Sequence, residues 1–333
     1  MKIDVHAHFV NEEFYDELAR LPGIVVRDTG DGRHELRMGP STFMWRKDEW
    51  FQPGHCLSDM DRKGIDMRLL SLSAPNVHSF PSERQPGLAR SLNDALLRQC
   101  ETAPDRLRAL CCLPLSDGEE ALKELDRVRS SSLFSGIAMG SSLDSVPLNH
   151  PKLEAVWARL DALRIPVVEH PMYPVNTAGL DEFELPIRLG FIYETTTALT
   201  RMIYGGVFER YPNILYVAAH TGGALLMLLE RLDNGYRIFP DCRRHISRLP
   251  SEYARQLYYD TCSFSPEAIL LAHRLIGPER LLFGTDYPYI DTGADHVTAL
   301  PIPAEDRSAI LGANAARLFA LARPHLRSEQ DVK

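Results

Sequence analysis

Short apolar runs alternate with amphipathic stretches along the whole chain, and this serial strand-then-helix rhythm constrains the fold more than any other feature. The candidate strands are Ile3–Phe9, Met67–Leu72, Leu107–Leu115, Gly136–Gly140, Pro166–His170, Ile214–His220, Leu257–Cys262 and Leu281–Asp286. Helical patterns separate them at Arg90–Glu101, Gly118–Arg129, Lys152–Leu163, Leu189–Phe208, Gly223–Tyr236 and Pro266–Ile276. A terminal helix is expected near Ala313–Ala322, followed by a frayed polar tail over about 323–333. About eight such units in series predict one α/β domain spanning 1–333, a (β/α)8 TIM barrel. An open doubly wound sheet is the alternative, ranked lower because no glycine-rich phosphate loop follows the first strand. With 333 residues and 44% hydrophobic side chains, the chain has ample material for a large core.

Two long segments interrupt the rhythm. An insertion over about 11–63 follows the first strand and is rich in Gly, Pro, Trp and charge. Ile24–Met38 within it alternates like a hairpin around Asp31-Gly32. Phe43–Pro53, with Trp45, Trp50 and Phe51, reads as a loop with an aromatic anchor rather than as core. The second interruption, Met172–Pro186, follows the fifth strand. In a barrel such loops gather at the C-terminal ends of the strands, where these folds place their chemistry.

The first strand carries His6 and His8 two residues apart, so both imidazoles point to one side, about 7 Å apart along the strand. Neutral imidazole is the commonest protein ligand for zinc and its neighbours. Alone, the pair reads first as two partly exposed strand histidines, since His-x-His by itself is weak evidence for a metal site. Further strands, however, end in His170, His220 and Asp286, and in a closed barrel these ends converge on one mouth with His6 and His8. Asp4 is expected on the face of His6 and His8, but deeper, as a supporting partner. Glu169 should face the helices. His78 reads either as a pocket residue or as a solvated loop histidine. Trp45, Tyr173 and Tyr287 either wall the pocket or pack their own loops.

His6, His8, His170, His220 and Asp286 resemble the ligand pattern of the amidohydrolase superfamily. The block Tyr216–Asn234 (YVAAHTGGALLMLLERLDN), Pro250-Ser251-Glu252-Tyr253, Phe283–Pro288 (FGTDYP), Val207–Pro212 and Gly312–Phe319 resemble its aminocarboxymuconate-semialdehyde decarboxylase branch. The resemblance implies metal-dependent, non-oxidative decarboxylation of a small carboxylated dienoic or aromatic acid. Hydrolysis or hydration of a related ring-cleavage product or lactone is the alternative. Dinuclear members carry a bridging lysine on the fourth strand, whereas Gly136-Ile137-Ala138-Met139-Gly140 has none. One divalent metal is therefore expected on His6, His8, His170 and Asp286; zinc suits these ligands best, with manganese or iron as alternatives. His220 then serves as general acid/base, and Asp286 shares in catalysis.

The resemblance also implies cations for the substrate carboxylate. Arg231 matches an arginine that reaches into a neighbouring subunit's site, which implies a homodimer; from the residues alone it could equally pair with Glu230 or Asp233. The branch's other substrate-binding arginine falls on Met44 here, with Arg46 two residues away as its substitute. Trp45 and Tyr173 complete the expected substrate-binding set.

A formal net charge of −8 and a pI near 5.9 carry no electrostatic footprint for nucleic acid, and no basic cluster suggests a membrane surface. No apolar leader opens the sequence, and the six cysteines show no CxxC pairing. The expectation is a cytoplasmic enzyme with reduced thiols.

Overall fold

Eight parallel strands follow one another around a barrel, each hydrogen-bonded to the next: β1 (Ile3–His8), β2 (Met67–Ser71), β3 (Leu107–Cys111), β4 (Phe134–Gly140), β5 (Pro166–His170), β6 (Leu215–Ala218), β7 (Tyr258–Asp260) and β8 (Leu281–Leu282). The structure, a computed structural model, describes residues 1–321 apart from 53, 144 and 145, so the tail over 323–333 lies outside the described residues. The last strand returns to the first: Val5 N donates to Phe283 O at 3.0 Å, and Ala7 pairs in parallel with Tyr287. The predicted (β/α)8 barrel is the observed fold.

Alternation along the strands explains the closure. Ile3, Val5, Met67, Leu69, Leu110, Ala138, Val168, Val217 and Leu282 form one buried cluster, the barrel interior. Their strand neighbours, among them Leu70, Ala109, Ile137, Val167, Tyr216 and Tyr259, belong to a second cluster shared with the surrounding helices. A strand buried on both faces needs apolar residues at both phases of the pleat, and these segments supply them.

The surrounding helices include α1 (Glu12–Ala19), α2 (His55–Lys63), α3 (Gln85–Glu101), α4 (Gly118–Val128), α5 (Glu154–Leu163), α6 (Phe191–Tyr204), α7 (Val207–Arg210), α8 (Leu225–Ile238) and α9 (Pro250–Ala254). The pattern read as one helix over Leu189–Phe208 is divided: a π turn at Pro186–Gly190 precedes α6, and Gly205-Gly206 separates α6 from α7. The insertion folds as an antiparallel sheet, Ile24–Asp28, Arg33–Met38 and Ser41–Lys47. Its first two strands are the expected hairpin. The third corrects the reading of Phe43–Pro53 as a loop outside the core. Phe43 is the extra residue where pairing shifts between Leu36 and Arg37. It and Met44 are buried in a separate core with Phe14, Tyr15 and Leu36, and Trp50 is buried beside them in sequence.

The first strand holds a second irregularity, which bears directly on the site. Asp4 pairs with Arg68 and Ala7 with Leu70, so β1 carries one extra residue between those positions. The bulge resets the alternation: Val5 packs in the barrel interior, yet His6 also turns inward, and Ala7 joins the helix-side cluster. Asp4 is thereby taken off the face of the two histidines, contrary to the period-two expectation. Its carboxylate instead meets Arg68 Nε at 2.9 Å, Thr285 N at 3.1 Å and Thr285 Oγ1 at 2.6 Å.

Arg68 is fully buried, bridges Asp4 to Asp59 of α2 at 3.1 Å and lies 4.0 Å above the ring of Tyr287. Tyr287 is accordingly a helix-side residue beneath Arg68 and not a wall of the mouth. Removing one partner from a buried ionic cluster leaves the other charges uncompensated. Arg68→Met should therefore cost about 3–5 kcal/mol of stability, read as a lowered denaturant midpoint.

Candidate active site

The residues predicted to converge do so, His6, His8 and His170 on β1 and β5, but His220 and Asp286 lie in turns beyond β6 and β8 rather than ending those strands. One side-chain ligand atom each from His6, His170, His220 and Asp286 lies within 4.8 Å of all the others. His8 completes the group from the side, its Nε2 3.1 Å from Asp286 Oδ1, the oxygen that also lies 3.5 Å from His6 Nε2. His220 Nε2 is 3.8 Å from the other Asp286 oxygen. The ring of His6 lies 5.1–5.2 Å, centre to centre, from those of His8, His170 and His220, and the ring of His170 lies 4.8 Å from His8 and 5.5 Å from His220.

Hydrogen bonding fixes which nitrogen His170 and His6 present. His170 Nδ1 lies 2.9 Å from Pro171 O, which can only accept, so Nε2 is left free for the cluster. His6 Nδ1 is 2.5 Å from Asp260 Oδ2. His6 Nε2 is buried and has no hydrogen-bond partner among the described residues. A buried orphaned nitrogen costs free energy unless something occupies its lone pair, and a cation among three imidazoles and a carboxylate would do so.

Charge points the same way. Burial disfavours a charged His6, but the carboxylates of Asp260, Asp286 and Asp4 outweigh it and lift its pKa to about 9. A field that favours a proton there also favours a metal cation. Burial, with the neighbouring rings, holds His170 well below the usual histidine range, and burial lowers His8 as well. Asp286 stays ionised: burial raises its pKa, but contacts to His220, His8 and His6 depress it well below the carboxylate range. The residues present thus fit one divalent ion.

Local backbone geometry accounts for the placement of His220 and Asp286. His220 and Thr221 adopt φ of +50° and +57°, and Asp286 adopts +57°. Left-handed non-glycine residues cost about 1–3 kcal/mol each and concentrate at functional sites. Gly222 continues the turn at φ +76°, where a Cβ would sit 2.6 Å from the Tyr259 ring. Gly284 lets β8 approach β1: a Cβ there would lie 2.8 Å from His6 Cβ and 2.7 Å from Cys262 Sγ.

The remaining expected residues are divided. Trp45 packs against Tyr289 at 5.6 Å, and Tyr289 against His8 at 5.5 Å, so this side of the site is aromatic. Tyr173 packs on Phe43 at 5.3 Å. Arg46 is engaged within the insertion, donating to Asp48 at 2.9 Å and lying over Phe51. Arg231 is exposed on α8; Glu230 pairs instead with Arg237, and Asp233 accepts from Ser251 N, so neither anticipated ion pair forms. His78 is buried rather than solvated, with both ring nitrogens unpartnered among the described residues, and burial lowers its pKa to about 3. Glu169 faces the helices as expected, accepting from Thr195 Oγ1 of α6.

Asp260, Tyr289 and Phe191, whose ring lies 5.8 Å from that of His170, were not singled out from the sequence. Asp260 could have been: it is the acid near the end of the seventh strand, Leu257–Cys262, aligned with the other strand-end residues.

A closed (β/α)8 barrel with histidines and an aspartate converging beyond the C-terminal ends of its strands has the layout of a barrel enzyme, whose chemistry sits on that face. The chain belongs to the amidohydrolase family, whose model matches residues 3–321. It is 31% identical to the gamma-resorcylate decarboxylase of Rhodococcus jostii (strain RHA1), over 79% of this chain and 86% of that protein. It is 28% identical to the 2-amino-3-carboxymuconate-6-semialdehyde decarboxylase of Dictyostelium discoideum, over 87% of this chain and 82% of the relative. Among solved structures, a dihydroxybenzoic acid decarboxylase from Polaromonas sp. JS666, with bound manganese and the inhibitor 2-nitroresorcinol, superposes with a TM-score of 0.79 at 26% identity, covering 96% of this chain and 97% of that one. The family resemblance and its carboxy-lyase character agree with these relatives. No helix among the described residues is long and apolar enough to cross a membrane.

Proposed function

We propose that this protein is a metal-dependent, non-oxidative decarboxylase of a small aromatic or muconate-semialdehyde-like carboxylic acid. The observation that carries the proposal is the convergence of His6, His170, His220 and Asp286 within 4.8 Å, with His8 alongside, in a chain whose relatives decarboxylate such acids. His6, His8, His170 and Asp286 would hold one divalent ion; three imidazoles and a carboxylate suit zinc, and manganese occupies the Polaromonas neighbour. The chemistry a bound ion supplies is Lewis-acid stabilisation of negative charge developing on a substrate oxygen.

The protein's own groups carry the proton. His220, which reaches the Asp286 side of the cluster without being needed to complete the ligand set, delivers a proton to the carbon bearing the carboxylate. The carbon–carbon bond to the carboxylate then breaks, its electron pair returns to the ring or diene, and carbon dioxide leaves. Trp45, Tyr289 and Tyr173 supply aromatic faces for a flat substrate.

Incubating metal-loaded enzyme with hydroxybenzoic and carboxymuconic acids in labelled water tests the reaction. Carbon dioxide release with one solvent hydrogen on the product carbon is expected. Solvent oxygen in the product without carbon dioxide would place the enzyme among the hydrolases or hydratases instead.

Arg231, exposed and free of ion pairs among the described residues, would grip the substrate carboxylate in a partner subunit's site of a homodimer. Arg231→Ala should raise KM about tenfold or more with little change in kcat, as loss of a charge-assisted hydrogen bond in uniform binding does. A fully active monomer in sedimentation at assay concentrations would refute that role. Arg46→Ala, losing a side chain already engaged by Asp48, should change KM less.

A further inference from the structure

We infer that Asp260 is a positioning residue that orders both kinds of histidine in the site at once, the ligand His6 and the proton-carrying His220. The inference rests on the metal-site reading above. Asp260 ends β7 fully buried, and its two oxygens have separate tasks. Oδ2 takes His6 Nδ1–H at 2.5 Å, which leaves Nε2 unprotonated toward the cluster when a cation is present. Oδ1 accepts from Thr221 N at 3.1 Å and Cys262 N at 2.9 Å.

The Thr221 bond matters because of where the chain lies. His220, Thr221, Gly222 and Gly223 are four successive residues with positive φ, from +50° to +76°. Such a run builds no regular helix or ladder, so its buried amides need other partners. Gly222 N and Gly223 N find Ala219 O and His220 O, whereas among the described residues Thr221 N finds only the Asp260 side chain. Thr221 Oγ1 adds bonds to Asp260 O at 3.1 Å and Ser263 Oγ at 2.8 Å. One carboxylate on β7 therefore sets the tautomer of a residue on β1 and anchors the backbone beside a residue after β6.

The two tasks separate under substitution. In Asp260→Asn the remaining Oδ1 still accepts from the turn, but the new amide donates toward His6 Nδ1. His6 must then carry its proton on Nε2, the atom aimed at the cluster. In Asp260→Ala both tasks fail. Competition titration of zinc against a chromophoric chelator should show a 10–100-fold loss of affinity in Asp260→Asn, the usual cost of losing an outer-shell partner. With zinc at saturation, Asp260→Asn should regain much of its turnover, whereas Asp260→Ala should stay impaired with an altered pH profile.

Wild-type affinity in Asp260→Asn would overturn the inference, and so would identical zinc-saturated rates and pH profiles in the two variants. Nitrogen NMR of zinc-loaded wild-type protein needs no variant: a protonated Nδ1 on His6 is expected, and a protonated Nε2 would overturn it. Wild-type protein that takes up no metal would instead sink the metal-site reading itself, so the two failures are distinguishable.

Discussion

His220→Asn is expected to purify with its full complement of metal and to lose about 10²–10⁴ of its turnover, the range general acid–base catalysis contributes. The reasoning is geometric. His220 Nε2 stands 3.8 Å from Asp286 Oδ2, while Asp286 Oδ1 is shared at 3.1–3.5 Å by His8 and His6. The ligand set can therefore close on the Oδ1 side without His220. His220 also starts a strained left-handed turn, a placement that aims a side chain rather than one that merely fills the barrel. Elemental analysis and single-turnover rates read the outcome together. Loss of metal in His220→Asn would make His220 a ligand and leave the proton to another group. Retained metal with retained rate would remove it from the chemistry.

Much of this architecture is legible in the sequence, for reasons that also explain what is not. Strands buried on both faces read as short apolar runs between helices, so all eight strand positions are visible from periodicity, and with them the barrel face where His170 ends a strand and His220 and Asp286 follow one. Periodicity fails where the backbone breaks its own period. The extra residue between Asp4 and Ala7 moves Asp4 off the face of His6 and His8, and nothing in Ile3–His8 announces it. The extra residue at Phe43 likewise turns an aromatic stretch that reads as loop into a strand with its own core. Burial hides His78 in the same way, since a lone histidine after a strand carries no sign of what packs over it. Asp260 stood at a visible strand end, but its bonds to His6 and Thr221 depend on tertiary contacts that spacing along one strand cannot express.

His170→Ala should remove the metal and with it essentially all activity, the largest effect expected for any single change here. His170 ends β5 and is oriented by Pro171 O, so the substitution removes a fixed imidazole without disturbing a buried carboxylate. The loss has a readout independent of turnover. A ligand that binds only the folded protein stabilises it by about 2.7 kcal/mol at a hundredfold excess over its dissociation constant, so added zinc or manganese should raise the melting temperature of the wild type and leave that of His170→Ala unchanged. Dialysis of the wild type against a strong chelator should reproduce both losses, and returning the ion should reverse them only where the imidazole is present. His170→Ala that keeps stoichiometric metal and wild-type turnover would show that β5 contributes no ligand. The site would then have to be rebuilt around His6, His8, His220 and Asp286, in which case His220→Asn should lose its metal, so the two substitutions decide between the ligand sets.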